Sequence, residues 1–170
     1  MFFDKKKCPN CGAKNPKDAP TCTRCGATFE LRTVKILEAI KEYDEAIRLN
    51  PQSAEAYYKR GFFYQSQGYA EQALEDFNKT IHIDPQFAKA YGNRAYAYLN
   101  KKRYDLAISD CTKAINLDPS DAVARLNRGV AYKLQGDKAR AIADFEKTMT
   151  LSDKPQVIDK AKQQIKELSK

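Results

Sequence analysis

The chain has no Trp, a single His, and only seven Gly and seven Pro among 170 residues. Each scarcity excludes something. With so little Gly and Pro there is small scope for an extended loop-rich or disordered region. No stretch approaches the roughly 20 apolar residues needed to cross a bilayer, so no membrane association is expected. The start, Met1-Phe2-Phe3-Asp4-Lys5-Lys6-Lys7, has no apolar run before the first cysteine and does not read as a secretory signal. The expected compartment is therefore cytoplasmic. His82 has no Ser or Cys at a spacing suited to a nucleophile and its base, and no Gly-rich phosphate loop occurs. Neither an enzyme nor a small-molecule substrate is expected, and His82 reads as an exposed helical residue.

What is present is a basic, aromatic, globular composition. Ten Tyr and eight Phe supply core bulk. Thirty Lys and Arg against 22 Asp and Glu give a formal charge of +8. Four thiolates around one Zn²⁺ would lower that to about +6. Both signs are interleaved along the chain, as on solvated helical faces.

The first thirty residues carry four cysteines as Cys8-Pro9-Asn10-Cys11-Gly12 and Cys22-Thr23-Arg24-Cys25-Gly26, with ten residues between the pairs. A C-x2-C pair in a tight turn can aim two sulfurs at one cation, and the Gly after it permits the backbone such a knuckle needs. Two knuckles close a tetrahedral shell and leave no position for water or substrate. The expectation is one structural Zn²⁺ per chain on Cys8, Cys11, Cys22 and Cys25. The same sulfurs also suit an iron centre, and in an oxidising compartment two disulfides. Apart from Ala13, Ala19, Ala27 and Phe29 the segment has almost no apolar residues, so the metal stands in for a core. The segment resembles the short zinc ribbons found at the start of many bacterial proteins, where they accompany other domains.

Beyond the ribbon the chain repeats with a period of 34. Tyr64, Tyr98 and Tyr132 share this spacing, as do Ala73, Ala107 and Ala141, the small residues Gly61, Ala95 and Gly129, and Pro51, Pro85 and Pro119. In a pair of antiparallel helices the small residues let the first helix approach the alanines of the second. Phe77 and Phe145 fill space between repeats, and Cys111 takes the same place in the middle repeat as a small buried hydrophobe. Gln67-Gly68, Lys101-Lys102 and Gln135-Gly136 mark turns between helices, while Asp84-Pro85 and Asp118-Pro119 end second helices. Arg60, Arg94 and Arg128 are expected to pack their stems and send their guanidinium groups to solvent or an acidic partner.

This pattern resembles the tetratricopeptide repeat (TPR). The expected fold is thus all-α, a TPR helical-repeat solenoid with a small N-terminal zinc ribbon. Its parts are the ribbon at 1–30, a half-repeat helix at 31–53, repeats at 54–87, 88–121 and 122–155, and a C-terminal capping helix at 156–170. The cap begins at Lys154-Pro155 and carries the stripe Ile158, Ala161, Ile165 and Leu168. Either the ribbon or Phe29 and Leu31 would cover the open end of the half-repeat.

The resemblance implies a scaffold that binds a peptide or helix of a partner protein on the concave face lined by the first helices. By motif register that lining is Tyr58, Lys59, Phe62, Lys89, Asn93, Tyr96, Asn127, Val130 and Lys133. Its lysines favour an acidic ligand, and its amides suit a peptide backbone. Some relatives grip the acidic carboxyl terminus of a heat-shock chaperone with lysines, asparagines and an arginine. Asn93 matches one such position, but Tyr58, Phe62, Val123 and Asn127 stand at the others, so that clamp is not expected. The alternative is a nucleic-acid-associated protein using Lys5, Lys6, Lys7, Lys14, Lys17 and Arg24 of the ribbon, with the repeats recruiting a partner.

Overall fold

The computed structural model describes residues 5–8, 10–16, 21–26 and 29–169, which fall into two compact units, Met1–Leu49 and Asn50–Lys170. Lys17 and the side chains of Lys5, Lys6, Phe29 and Leu31 lie outside the described residues. Among the described residues no helix is long and apolar enough to cross a membrane.

The first unit opens with a two-stranded antiparallel ribbon, β1 (Lys5–Lys7) and β2 (Lys14–Pro16), in which Lys7 pairs with Lys14. The chain reverses between them through Gly12, whose φ of 71° no ordinary side chain adopts readily, and its N–H donates to the Cys8 carbonyl at 2.8 Å. Gly26, at φ 69°, repeats this device on the Cys22 carbonyl at 2.9 Å. The unit ends in one helix, α1 (Phe29–Leu49). Ile36, Ala39, Ile40, Tyr43 and Ile47 recur on it at helical spacing and are half-buried.

The second unit is three helix pairs and a final helix: α2 (Ala54–Gln67) with α3 (Ala70–Ile83), α4 (Ala88–Asn100) with α5 (Tyr104–Leu117), α6 (Ala122–Gln135) with α7 (Lys138–Leu151), and α8 (Pro155–Leu168). The turns repeat with the sequence. Asn50, Asp84 and Asp118 each accept, through Oδ1, the N–H two residues on, across Pro51, Pro85 and Pro119. Ser53 and Asp121 then cap the N-termini of α2 and α6. Gly68 and Gly136 end the first helices at φ 86° and 87°, and the middle repeat uses Lys102 at φ 58° in the same place.

Packing within each pair follows small against large. A Cβ on Gly61 would lie 2.9 Å from Cβ of Asp76 and 3.0 Å from the Phe77 ring, and one on Gly129 would lie 2.6 Å from the Phe145 ring. The nearest atoms at these small positions belong to Asp76 and to the two aromatic rings, with Ala73 and Ala141 fully buried on the same helices. Phe77 and Phe145 are fully buried, worth about 1.5–3 kcal/mol each. Cys111 and Ala95 take these places in the middle pair and are also fully buried.

Arg60, Arg94 and Arg128 correct the sequence reading: their guanidinium groups turn inward, not outward. Each forms a bidentate pair with an aspartate 16 residues on in the second helix, Asp76, Asp110 and Asp144, at 2.7–2.8 Å. Neighbouring repeats are tied by the same group, because Arg94 also donates to Asn78 at 2.7 Å and Arg128 to the Thr112 hydroxyl at 3.1 Å. Tyr91 and Tyr98, three residues before and four after it on α4, place their rings 5.6 and 5.9 Å from the Arg94 guanidinium. Burial opposes charging Arg94, but Asp110 outweighs it and holds the guanidinium above its ordinary value.

The last helix starts with Pro155 in its first turn. Val157, Ala161, Ile165 and Leu168 pack on the core formed by Leu126, Tyr132, Ala141 and Phe145. Val157 therefore holds the place expected of Ile158 at the start of the stripe.

Candidate functional site

Two sites emerge, one in each unit. In the first, the sulfurs of Cys8, Cys11, Cys22 and Cys25 all lie within 4.8 Å of one another. Cys8 and Cys25 are 3.7 Å apart and Cys11 and Cys22 3.6 Å. Four thiolates at about 2.3 Å from a tetrahedral Zn²⁺ would stand about 3.8 Å apart, so the cage has the size such an ion requires. Second-layer donors surround it. Asn10 Nδ2 reaches Cys25 Sγ at 3.7 Å, while Asn15 Nδ2 and the Arg24 N–H reach Cys22 Sγ at 3.5 and 3.4 Å. Asn15 is fully buried, its Oδ1 taken by the N–H and hydroxyl of Thr23 at 2.8 and 3.1 Å. It locks the second knuckle onto the first strand pair, as outer ligands of a metal commonly do.

The electrostatics of the cage also call for a cation. Burial works against ionising Cys22, yet hydrogen bonds from the N–H groups of Arg24 and Cys25 and from neighbouring thiols bring it down to about 6. For Cys11 a backbone bond at Ala13 favours the thiolate, but burial and the three other sulfurs prevail and push it up to about 12. Four sulfurs this close resist becoming thiolates together unless a positive charge sits among them. With all four bound, a metal here has a closed shell and serves structure.

In the second unit α2, α4 and α6 touch in sequence order, with α8 against α6, and their common face holds two adjoining cavities. One, of 190 Å³, is lined by Tyr58, Phe62, Lys89, Gly92, Asn93, Asp121, Val123, Ala124 and Asn127. The other, of 310 Å³, is lined by Asn93, Tyr96, Val123, Leu126, Asn127, Gln156, Val157 and Lys160. Asn93, Val123 and Asn127 form the shared wall. Phe62, Tyr96 and Val123 are 53%, 42% and 49% exposed, an apolar concentration that a solvated helical face does not need. The Tyr58 ring lies 4.9 Å from that of Phe87, tilted by 39°, and its hydroxyl accepts a hydrogen bond from Asn93 Nδ2 at 3.0 Å. Burial holds its phenol above the ordinary value, so it stays a neutral hydroxyl.

Of the anticipated lining, the structure gathers Tyr58, Phe62, Lys89, Asn93, Tyr96 and Asn127 around these cavities. Lys59 stands apart, exposed and paired with Glu55 at 3.3 Å. Val130 packs into the core beneath α8, and Lys133 donates to Gln164 at 2.9 Å and to Glu167. The last helix thus occupies part of the third repeat's face and contributes Gln156, Val157 and Lys160 in exchange. Gly92, Asp121 and these three were absent from the sequence reading. A cap outside the period has no register to read, and Gly92, in the register of Tyr58, has no side chain to mark it.

Comparison with known proteins bears on both units. Residues 7–29 match the zinc-ribbon domain family, 35–68 a TPR repeat family, and 54–87, 88–121 and 111–143 tetratricopeptide-repeat families. The chain belongs to the TPR family and carries a zinc ribbon ahead of its repeats. No curated protein matches it. Among solved structures it is similar to the second TPR domain of human RPAP3 in complex with the HSP70 peptide SGPTIEEVD, at 32% identity over 67% of this chain and 92% of that one, TM-score 0.62. The second TPR of Spaghetti (RPAP3) bound to the HSP90 peptide SRMEEVD is 34% identical over 68% and 99%, TM-score 0.58. The Arabidopsis OM64 TPR domain is 28% identical over 68% and 93%, TM-score 0.64. This is a protein-interaction architecture, of a kind typically without catalysis, joined to a cysteine cluster of metal-binding form.

Proposed function

We propose that the chain is an adaptor that binds a peptide segment of a partner protein in the groove between α2, α4, α6 and α8, while Cys8, Cys11, Cys22 and Cys25 hold one structural Zn²⁺. The supporting observation is the exposure of Phe62, Tyr96 and Val123 around two adjoining cavities bracketed by the amides of Asn93 and Asn127. Apolar side chains supply contact area and the amides can pair with a backbone. Lys89 and Lys160 add positive charge at the rim, which suits a ligand with acidic flanks. In this reading residues 31–53 are a half-repeat, 54–87, 88–121 and 122–155 the repeats, and 156–170 the cap.

Similar domains carry HSP90 and HSP70 peptides ending in EEVD. Here the groove offers Tyr58, Phe62 and Val123 where basic or amide side chains would meet a terminal carboxylate, so the ligand is a different one. The test is selection from a displayed random peptide library on the metal-loaded chain. Retrieved peptides should lose about a hundredfold in affinity with Tyr96→Ala and Val123→Lys combined, equivalent to about 2.8 kcal/mol. Lys113→Ala, on the outer helix α5, should leave affinity unchanged, and SRMEEVD should not compete. Peptides indifferent to the groove variant would refute the assignment.

A second reading rests on the ribbon, where Lys7 stands directly opposite Lys14 and both are exposed. Like charges so placed repel unless an anion joins them. Titration with generic DNA and RNA at two salt concentrations tests it, and binding with a steep salt slope would favour it.

A further inference from the structure

Glycine inside a helix weakens it relative to alanine, because the backbone loses more freedom on folding. Three glycines interrupt the first helices, and two have a packing reason. At Gly61 and Gly129 a Cβ would fall 2.9 Å from Asp76 and 2.6 Å from Phe145, so nothing larger fits. Gly92 has no such reason. A Cβ there would meet a single neighbour, Oδ2 of Asp121 at an unstrained 3.9 Å. Alanine would fit and would strengthen α4.

The period sharpens the contrast, because positions 58 and 126, each 34 residues from 92, carry Tyr58 and Leu126. Bulk is thus missing in the middle repeat alone, on the wall of the 190 Å³ cavity. Polar groups without a partner among the described residues gather there. Asp121 uses Oδ1 to cap Val123 and Ala124 and leaves Oδ2 toward Gly92; Asn93 gives its Nδ2 to Tyr58 and keeps its carbonyl; the Asn127 amide is unengaged. A gap one methyl group deep beside acceptor oxygens suits a peptide main chain, whose N–H groups need acceptors. A helix has spent its own N–H groups beyond the first turn, so the chain that suits this place is extended.

We propose that Gly92 is a specificity-determining gap: the main chain of an extended peptide crosses it, donates an N–H to Asp121 Oδ2, and seats an adjacent apolar side chain against Tyr96, Val123 and Val157. This rests on the groove reading above. The probe is a fluorescently labelled peptide retrieved from the displayed library, measured by anisotropy on the full metal-loaded chain. Gly92→Ala should weaken it by about tenfold or more while the thermal midpoint holds or rises. N-methylation of one probe amide should cost a similar factor in the wild type and little more in Gly92→Ala. Binding to Gly92→Ala within about twofold of wild type, with loss in the Tyr96→Ala and Val123→Lys variant, would overturn the gap and leave the groove standing. A lowered midpoint in Gly92→Ala would make the glycine a packing residue, and a helical signal from the bound probe would replace the extended ligand; either overturns the proposal. Equal binding by every variant would instead remove the groove reading itself.

Discussion

Where the repeat array buries Phe77, Phe145 and a ladder of alanines, the ribbon buries Cys8, Cys22 and Asn15. The first interior is mainly apolar, its aspartates paired with arginines, and gains by leaving water without any ion. The second is sulfur and amide, and gains only when a cation satisfies it. The two units therefore respond to different insults. Three measurements would break or sharpen that contrast.

The largest effect is metal removal. Ion binding in ribbons of this kind is worth on the order of 10–16 kcal/mol, more than a domain this small can replace. Strong chelation, or Cys22→Ser, should unfold the ribbon and leave more than about half of the helical circular-dichroism signal, since a repeat array is held by its nearest-neighbour contacts. Acid should act alike. Cys22, held at about 6, favours the folded ribbon above its ordinary value near 9 and loses that advantage as pH falls toward 6. Cys11, pushed up to about 12, acts in the opposite sense but only above its ordinary value near 9, so it does not change the response to acid. In the metal-loaded ribbon the larger effect is competition between protons and metal for four sulfurs. Metal release followed by a colorimetric chelator should increase steadily on acidification, and release independent of pH would contradict thiolate ligation.

Next in size is the ion pair between α4 and α5. Asp110→Ala strands the Arg94 guanidinium, whose side chain is only 18% exposed, and should cost about 3–5 kcal/mol in urea unfolding of the array. Metal content should not change. Removing both partners, as Arg94→Met with Asp110→Ala, should recover much of the loss, because the cost lies in the unpaired charge.

The smallest is a gain. Lys102 adopts φ 58° where Gly68 and Gly136 serve the other two repeats. Lys102→Gly should raise array stability by about 0.5–1 kcal/mol, seen as a higher thermal midpoint, with the ribbon indifferent. A decrease would mean that the Lys102 side chain contributes more than its backbone strain removes.

Much of this was open to a reader of the residues. The repeat markers Tyr64, Tyr98 and Tyr132 and the turn residues Gly68 and Gly136 state their roles locally. The four cysteines do so too, by spacing alone. Even the ion pairs left a trace, because Arg60 and Asp76, Arg94 and Asp110, and Arg128 and Asp144 keep a constant 16-residue interval within the 34-residue period. Arginine at a helix face is read as solvated by default, and only the fold shows that the facing helix brings an aspartate to it.

The amino-acid sequence by itself determined the clustering of four cysteines, the helical period and the family, because each depends on short intervals that a helix or a tight turn converts directly into geometry. The tertiary structure alone decided which part of the concave face stays open. Val130 shares the register of Phe62 and Tyr96, and Lys133 that of Gln65, yet α8 lands on them and brings Val157 and Lys160 to the groove instead. That outcome depends on where a helix outside the repeat finds apolar area to cover, and burial of that kind is settled between distant segments, with no interval along the chain to announce it.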